Sequence, residues 1–337
     1  MSQKNNAWYN DPLLIAAVQF EQSGDDSYQA PAIFDQAQFN TEQLMHVFDK
    51  GIIGLYEKER DYARVKKYLD MCPERNIIMY CDAHIVSRDT YKKHNDWAQR
   101  TPGGEPSPGY ASEVLICVNS PWRDAFFARI REVVELPIHG IFLDGPLFSG
   151  PGCFCPACRK LFNEQFGHSM ESGTRTEIRE FKTKHIARFI ADVRAVIHET
   201  RPDVVLYANN NGLSENVTGC DVEAIYDHVD LLGTEGGFIF YCDPNDVSIY
   251  RCGNAARYIE SKSYGKPYVM FCAANHQPWA RYMLSAPENE LNIAATVANG
   301  ANIWYGIHGQ ISDFETKGCA PGLALIKKLS ENKQYYK

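Results

Sequence analysis

No run of about 18 consecutive apolar residues occurs anywhere in the 337-residue chain, and a shorter run cannot carry a helix across the ~30 Å hydrocarbon core of a bilayer. The opening residues, Met1-Ser-Gln-Lys-Asn-Asn-Ala-Trp-Tyr, also lack the apolar stretch of a secretion signal. The expectation is a cytoplasmic protein with no membrane partner. A basic surplus is missing too. With 34 basic against 42 acidic residues the net charge is −8, which argues against a nucleic-acid partner. No Gly-x-Gly-x-x-Gly and no Gly-x-x-x-x-Gly-Lys-Ser/Thr follows an apolar run, so no dinucleotide or other organic cofactor is expected. Eleven cysteines, an odd number scattered over a long chain, do not look like a disulfide framework. The chain is not disordered either, because 45% of its residues are hydrophobic and only 23% charged.

What is present is a rhythm. Short apolar runs at Leu13–Phe20, Gly51–Tyr56, Asn76–Asp82, Glu113–Val118, Gly140–Asp144, Val204–Asn209, Asp230–Glu235, Tyr268–Ala273 and Ala301–Ile307 alternate with segments of helical periodicity. Most runs are apolar on consecutive positions, as strands buried on both faces of a parallel sheet are. Arg60–Cys72, Trp122–Leu136 and Ile178–Glu199 place apolar residues on one helical stripe. Strand–helix alternation throughout makes the chain α/β. A doubly wound sheet would bring a glycine-rich phosphate loop that is absent, so the expected architecture is a single (β/α)₈ barrel domain spanning 1–337. Nine runs are one too many. Glu113–Val118, which follows the Pro- and Gly-rich segment 100–109, is the candidate accessory strand.

In such a barrel the C-terminal end of each strand faces the active site. The runs finish in Glu21, Glu57, Asp82 with His84, Asp144, Asn209 to Asn211, Glu235, Asn275 with His276, and His308. A ring of carboxylates, amides and imidazoles suits a polyhydroxylated ligand. Tyr56, Tyr80, Trp97, Trp279 and Trp304 lie close in sequence and offer faces for stacking on a sugar ring. The expected substrate-binding set is Glu57, Tyr80, Asp82, His84, Trp97, Asn209, Asn275, Trp279, Trp304 and His308. A blander reading is that polar residues end strands because loops are wet. Two acids stand apart: Asp144 in Gly-Ile-Phe-Leu-Asp-Gly and Glu235 in Gly-Thr-Glu-Gly-Gly each follow an apolar run and precede glycine. Glycoside hydrolysis needs two carboxyl groups across one bond, and these are the candidate catalytic pair. The alternative for each is a plain turn or loop residue.

Nine residues after Asp144, Cys153-Phe-Cys-Pro-Ala-Cys sets three thiols, those of Cys153, Cys155 and Cys158, within one turn of chain. That spacing suits tetrahedral zinc. Cys117 is the first choice for a fourth ligand and His168 the second. A four-ligand site would be closed and structural, holding the loop after the fourth strand. Free thiols, or a disulfide to a distant cysteine, are the alternatives.

Three stretches together, Asn119-Ser-Pro-Trp-Arg-Asp, Gly140-Ile-Phe-Leu-Asp-Gly-Pro and Cys153-Phe-Cys-Pro-Ala-Cys-Arg-Lys-Leu-Phe, resemble the barrel family labelled "hypothetical glycosyl hydrolase 6". That family is related to α-L-fucosidases and, more distantly, to the zinc-bearing family 42 β-galactosidases. His94-Asn-Asp-Trp97 and Gly233-Thr-Glu-Gly-Gly also match its pattern, and the likeness covers roughly residues 13–310. The resemblance implies a retaining, exo-acting α-glycosidase of α-L-fucosidase-like or α-galactosidase-like type. The fucosidase nucleophile, an Asp ending strand four, carries over onto Asp144; the strand-six acid of α-galactosidase-type barrels carries over onto Glu235. The family 42 likeness is confined to the cysteine cluster, since its proton-donating Glu has no counterpart at Asp144. No stretch of the sequence is expected to form the C-terminal β-domains that such enzymes often carry. Alternatives are a carbohydrate-binding barrel without catalysis, a β-galactosidase-like hydrolase, or a hydrolase of esters or amides using zinc. Self-association into a homo-oligomer is left open.

Overall fold

The structure, a computed structural model, describes residues 8–19, 24–45, 62–109, 113–210, 215–235, 250–275, 283–307, 311–315 and 318–336. Eight parallel strands close into a barrel: β1 (Leu14–Gln19), β2 (Thr41–Met45), β3 (Asn76–Asp82), β6 (Gly140–Asp144), β7 (Val205–Asn209), β8 (Leu231–Thr234), β9 (Tyr268–Ala273) and β10 (Asn302–Gly306). Between β3 and β6 the chain inserts β4 (Ile85–Val86) and β5 (Val114–Leu115), which pair antiparallel. The accessory strand expected at Glu113–Val118 is thus β5, outside the barrel. Helices pack around the outside, the longest being Arg175–His198. It starts at a capping box in which Thr174 Oγ1 accepts from the Glu177 amide (3.2 Å) and the Glu177 carboxylate accepts from the Thr174 amide (2.7 Å). No helix among the described residues is long and apolar enough to cross a membrane.

One strand was misplaced by sequence reasoning. The second barrel strand is Thr41–Met45, hydrogen-bonded between β1 and β3, whereas Gly51–Tyr56 lies outside the described residues. Thr-Glu-Gln-Leu-Met carries three polar residues in five and does not read as a buried run. It is buried all the same. Glu42 is 0% exposed and turns away from the barrel axis, where Arg75 donates to it at 2.9 Å and the Tyr68 hydroxyl donates to its other oxygen. Burial pushes the Glu42 carboxyl up and Arg75 pulls it back. A buried carboxylate persists only with partners of this kind.

The barrel interior is filled rather than open. Phe142 packs on Tyr207 and Phe271, with ring centroids 4.7 and 5.5 Å away, and Phe271 packs on Trp304 at 5.4 Å. These rings fit because two inward positions have no side chain. A Cβ on Gly233 would lie 2.6 Å from Tyr207 and 2.8 Å from Phe271, and one on Gly306 would strike the Trp304 indole. The result is an aromatic floor under the C-terminal strand ends.

Candidate active site

Parallel register sets the site. Asp82 and Asp144 are paired across β3 and β6, so both carboxylates leave the barrel wall at one level. Asp82 is 3% exposed, and its Oδ1 accepts from the amides of His84 (2.8 Å) and Ile85 (3.1 Å) and lies 3.1 Å from His84 Nδ1. It braces the corner after β3 and orients the imidazole. Burial pushes that imidazole down, but the carboxylates of Asp82, Asp144 and Glu235 outweigh burial and raise His84 to about 9. Burial likewise pushes the Asp82 carboxyl up, and His84 opposes it.

Asp144 is held on both oxygens. The Tyr80 hydroxyl donates to Oδ2, while Asn209 Nδ2 donates to Oδ1 at 2.7 Å. Tyr80 also lies 3.4 Å from Asp82, but one hydroxyl has one proton and the nearer acceptor is Asp144. Burial, then the Asp144 charge, pushes the Tyr80 hydroxyl well above its usual range, so it stays a donor. Asn209 Nδ2 makes a second bond of 2.7 Å to Glu235 Oε1. One amide nitrogen therefore joins the carboxylates that end the fourth barrel strand and follow the sixth. Because each oxygen is 2.7 Å from the same nitrogen, the two can be no farther apart than twice that length.

Of the other expected site residues, Glu57, Trp279 and His308 lie outside the described residues, as do Glu21 and His276. Trp304 is 2% exposed in the aromatic floor and presents no open face. Trp97 is buried with its ring stacked on His94 at 4.0 Å. Asn275, also buried, forms a bridge with Met283 beyond β9. The structure thus brings Tyr80, Asp82, His84, Asp144, Asn209 and Glu235 together and places Trp97 and Trp304 in the packing.

The segment after Asp144 is tied down from several sides. Gln99, fully buried, donates to the carbonyls of Leu147 (2.6 Å) and Ile116 (2.9 Å) and accepts from the Ser149 amide (2.9 Å). The Phe148 amide donates to Thr218 O at 2.9 Å, and the buried Lys182 ammonium donates to Gly150 O (3.1 Å) and Val217 O. Nothing in the sequence around Gln99 or Lys182 signals these roles. The segment also has an apolar anchor in Phe148, 1% exposed.

Beyond it the sulfurs of Cys117, Cys153, Cys155 and Cys158, all buried, lie within 4.8 Å of one another. Cys117 Sγ is 3.4 Å from Cys158 Sγ and 3.7 Å from Cys155 Sγ. Four sulfurs at ~2.3 Å from a shared tetrahedral ion would sit ~3.8 Å apart. Each sulfur also receives an N–H: Cys153 from Arg100 N (3.5 Å), Cys117 from Asn119 N (3.4 Å), Cys155 from Cys158 N (3.5 Å) and Cys158 from Asn119 Nδ2 (3.4 Å). Such donors suit thiolates, so the donor set fits a metal ion. His168 stands elsewhere, 3.0 Å from Glu177. Asn119 in turn has His185 Nδ1 at 3.0 Å from its Oδ1, a second layer that sequence reasoning missed.

A closed eight-stranded barrel with two bridged carboxylates at its C-terminal rim defines a class of molecule, the (β/α)₈ barrel with an acidic pair. Residues 53–145 match the family model described as "Hypothetical glycosyl hydrolase 6", a stretch that ends one residue past Asp144, takes in Cys117 and stops short of Cys153, Cys155 and Cys158. Among solved structures the chain is similar to α-L-fucosidase isoenzyme 2 from Paenibacillus thiaminolyticus (TM-score 0.73, 15% identity, covering 96% of this chain and 50% of that one). It is similar to the β-galactosidase from Rahnella sp. R3 (TM-score 0.77, 13% identity, 97% and 57%). The glycoside hydrolase domain of PgaB (BpsB) from Bordetella bronchiseptica matches over nearly its whole length (TM-score 0.71, 9% identity, 95% and 98%). At these identities the likeness is one of fold. The chain spans about half the length of the fucosidase and somewhat more of the galactosidase. No curated protein sequence gives a match.

Proposed function

We propose that the chain is a retaining glycoside hydrolase, exo-acting on α-glycosides in the manner of an α-L-fucosidase or α-galactosidase, with Asp144 as nucleophile and Glu235 as general acid/base. The observation that carries this reading is the Asn209 nitrogen bonded at 2.7 Å to both carboxylates. It holds them near the ~5–5.5 Å separation of retaining pairs and well inside the ~6.5–9.5 Å that leaves room for water in inverting ones. The family match and the fold of the fucosidase support the same chemistry. In the first step an Asp144 oxygen bonds to the anomeric carbon while the glycosidic C–O bond breaks and the Glu235 proton passes to the departing oxygen. In the second step Glu235 takes a proton from water, whose oxygen displaces Asp144. The Tyr80 hydroxyl and the Asn209 amide fix the direction from which Asp144 attacks.

A screen of aryl α-L-fucosides, α-galactosides and β-galactosides tests the reading. Turnover of one of them should fall by several orders of magnitude in Asp144→Asn, and a 2-fluoro analogue should leave a covalent adduct on Asp144. Sugar-dependent stabilisation that persists in Asp144→Asn, with no turnover of any glycoside, would replace catalysis by binding alone.

The cysteine cluster enters this proposal as a structural zinc site. Cys117, Cys153, Cys155 and Cys158 would hold the ion and leave it no open position, and four thiolates quench its Lewis acidity. Bound there, zinc supplies cross-linking, not hydrolysis.

A further inference from the structure

We propose that Asn209 is a positioning residue for both carboxylates, the amide strut that sets the distance between Asp144 and Glu235. This rests on the reading of those acids as a catalytic pair. Asn209 ends β7, between the strands that carry the two acids, and is only 5% exposed. An amide nitrogen has two hydrogens in one plane, diverging by about 120°. Here the nitrogen lies 2.7 Å from one carboxylate oxygen of each acid, so each hydrogen has an acid to serve. The amide presents its nitrogen to both acids; turned over, its carbonyl oxygen would confront the Asp144 carboxylate. Without the strut Asp144 and Glu235 would lose the bonds that tie an oxygen of each to one nitrogen, and their spacing would no longer be set by it. Among the described residues, the Tyr80 hydroxyl would then remain as the bond to the Asp144 carboxylate, on the opposite oxygen.

Among the described residues, the ionisable groups facing the pair are Tyr80, Asp82 and His84 from the β3 side, and Tyr207 from β7 itself. Tyr80 donates to Asp144 Oδ2, the oxygen that Asn209 does not bond, and His84 Nδ1 lies 3.3 Å from the Asp144 carbonyl oxygen. The strut acts on spacing, since one nitrogen 2.7 Å from an oxygen of each acid keeps those oxygens within twice that length.

The test compares wild type with Asn209→Ala and with Asn209→Asp, which keeps the shape but loses both donors. In crystal structures of the variants the Asp144–Glu235 oxygen separation should widen by about 1 Å or more, whether or not a substrate has been found. On an aryl glycoside that wild type hydrolyses, kcat should drop ~100-fold while KM stays within a few-fold, the loss typical of a misplaced or missing donor. Variants that fold with wild-type melting behaviour and keep the wild-type carboxylate spacing would overturn the proposal, as would an unchanged kcat on that glycoside. Should Asn209→Ala fail to fold, the isosteric Asn209→Asp carries the same measurements. Absence of turnover in wild type would instead strike at the hydrolase reading, leaving the crystallographic spacing to decide the strut.

Discussion

Raised to about 9, His84 binds a proton in the folded chain at pH values where an unfolded imidazole, near ~6.5, has released it. Its stabilising contribution is therefore complete below ~6.5 and is lost as pH rises through about 9, at up to ~1.4 kcal/mol for each unit between the two. Melting curves between pH 6 and 9.5 should show wild type losing stability across that window and His84→Gln losing much less. Parallel curves for the two proteins would contradict the assignment. Individual residues of the site were legible in part. Asp144 and Glu235 stand out because each ends an apolar run and meets a glycine. Asn209 is visible as a polar strand end, but not as a bridge. Which atoms meet depends on the β6–β7–β8 register and on the orientation of one amide, and neither is encoded in local pattern.

At the scale of elements, the loop from Asp144 to the cysteines depends on Gln99 and on the sulfur cluster. Gln99→Leu would strand two carbonyls and an amide that Gln99 now satisfies. With about 1–3 kcal/mol for each buried group left unpaired, roughly 3 kcal/mol or more of stability should disappear in urea titrations. Hydrogen exchange should rise first at Ser149. Zinc should appear at one per chain in elemental analysis, and Cys158→Ser should lower the melting temperature without altering the pH profile of residual turnover. Protein carefully purified with far less than one zinc per chain, yet equally stable, would refute it. The cysteine motif was readable because ligand spacing is local. Its neighbours were not, since Gln99, Asn119 and His185 meet the loop only through the fold. Strand β2 escaped for a related reason: Glu42 reads as a surface residue until Arg75 and Tyr68 close on it.

Seen whole, the barrel was the most legible feature, because buried parallel strands leave apolar runs that a half-exposed sheet would break with alternation. The mislaid second strand did not disturb the count, and Asp144 and Glu235 still fall at the fourth and sixth strands. The interior built by those strands has a kinetic consequence. Phe142, Tyr207, Phe271 and Trp304 stopper the barrel below the carboxylates. A sugar held covalently on Asp144 would then be reached from the rim alone, and the departing alcohol would leave by the route through which water arrives. Alcohols lingering there compete with water for the same carbon, so the enzyme should transglycosylate. Adding methanol or a free sugar as acceptor should raise release of the aryl leaving group, where deglycosylation limits the rate, and divert product from free sugar to a new glycoside. Chromatography finding only free sugar at high acceptor concentration would show that water has a private path to the intermediate.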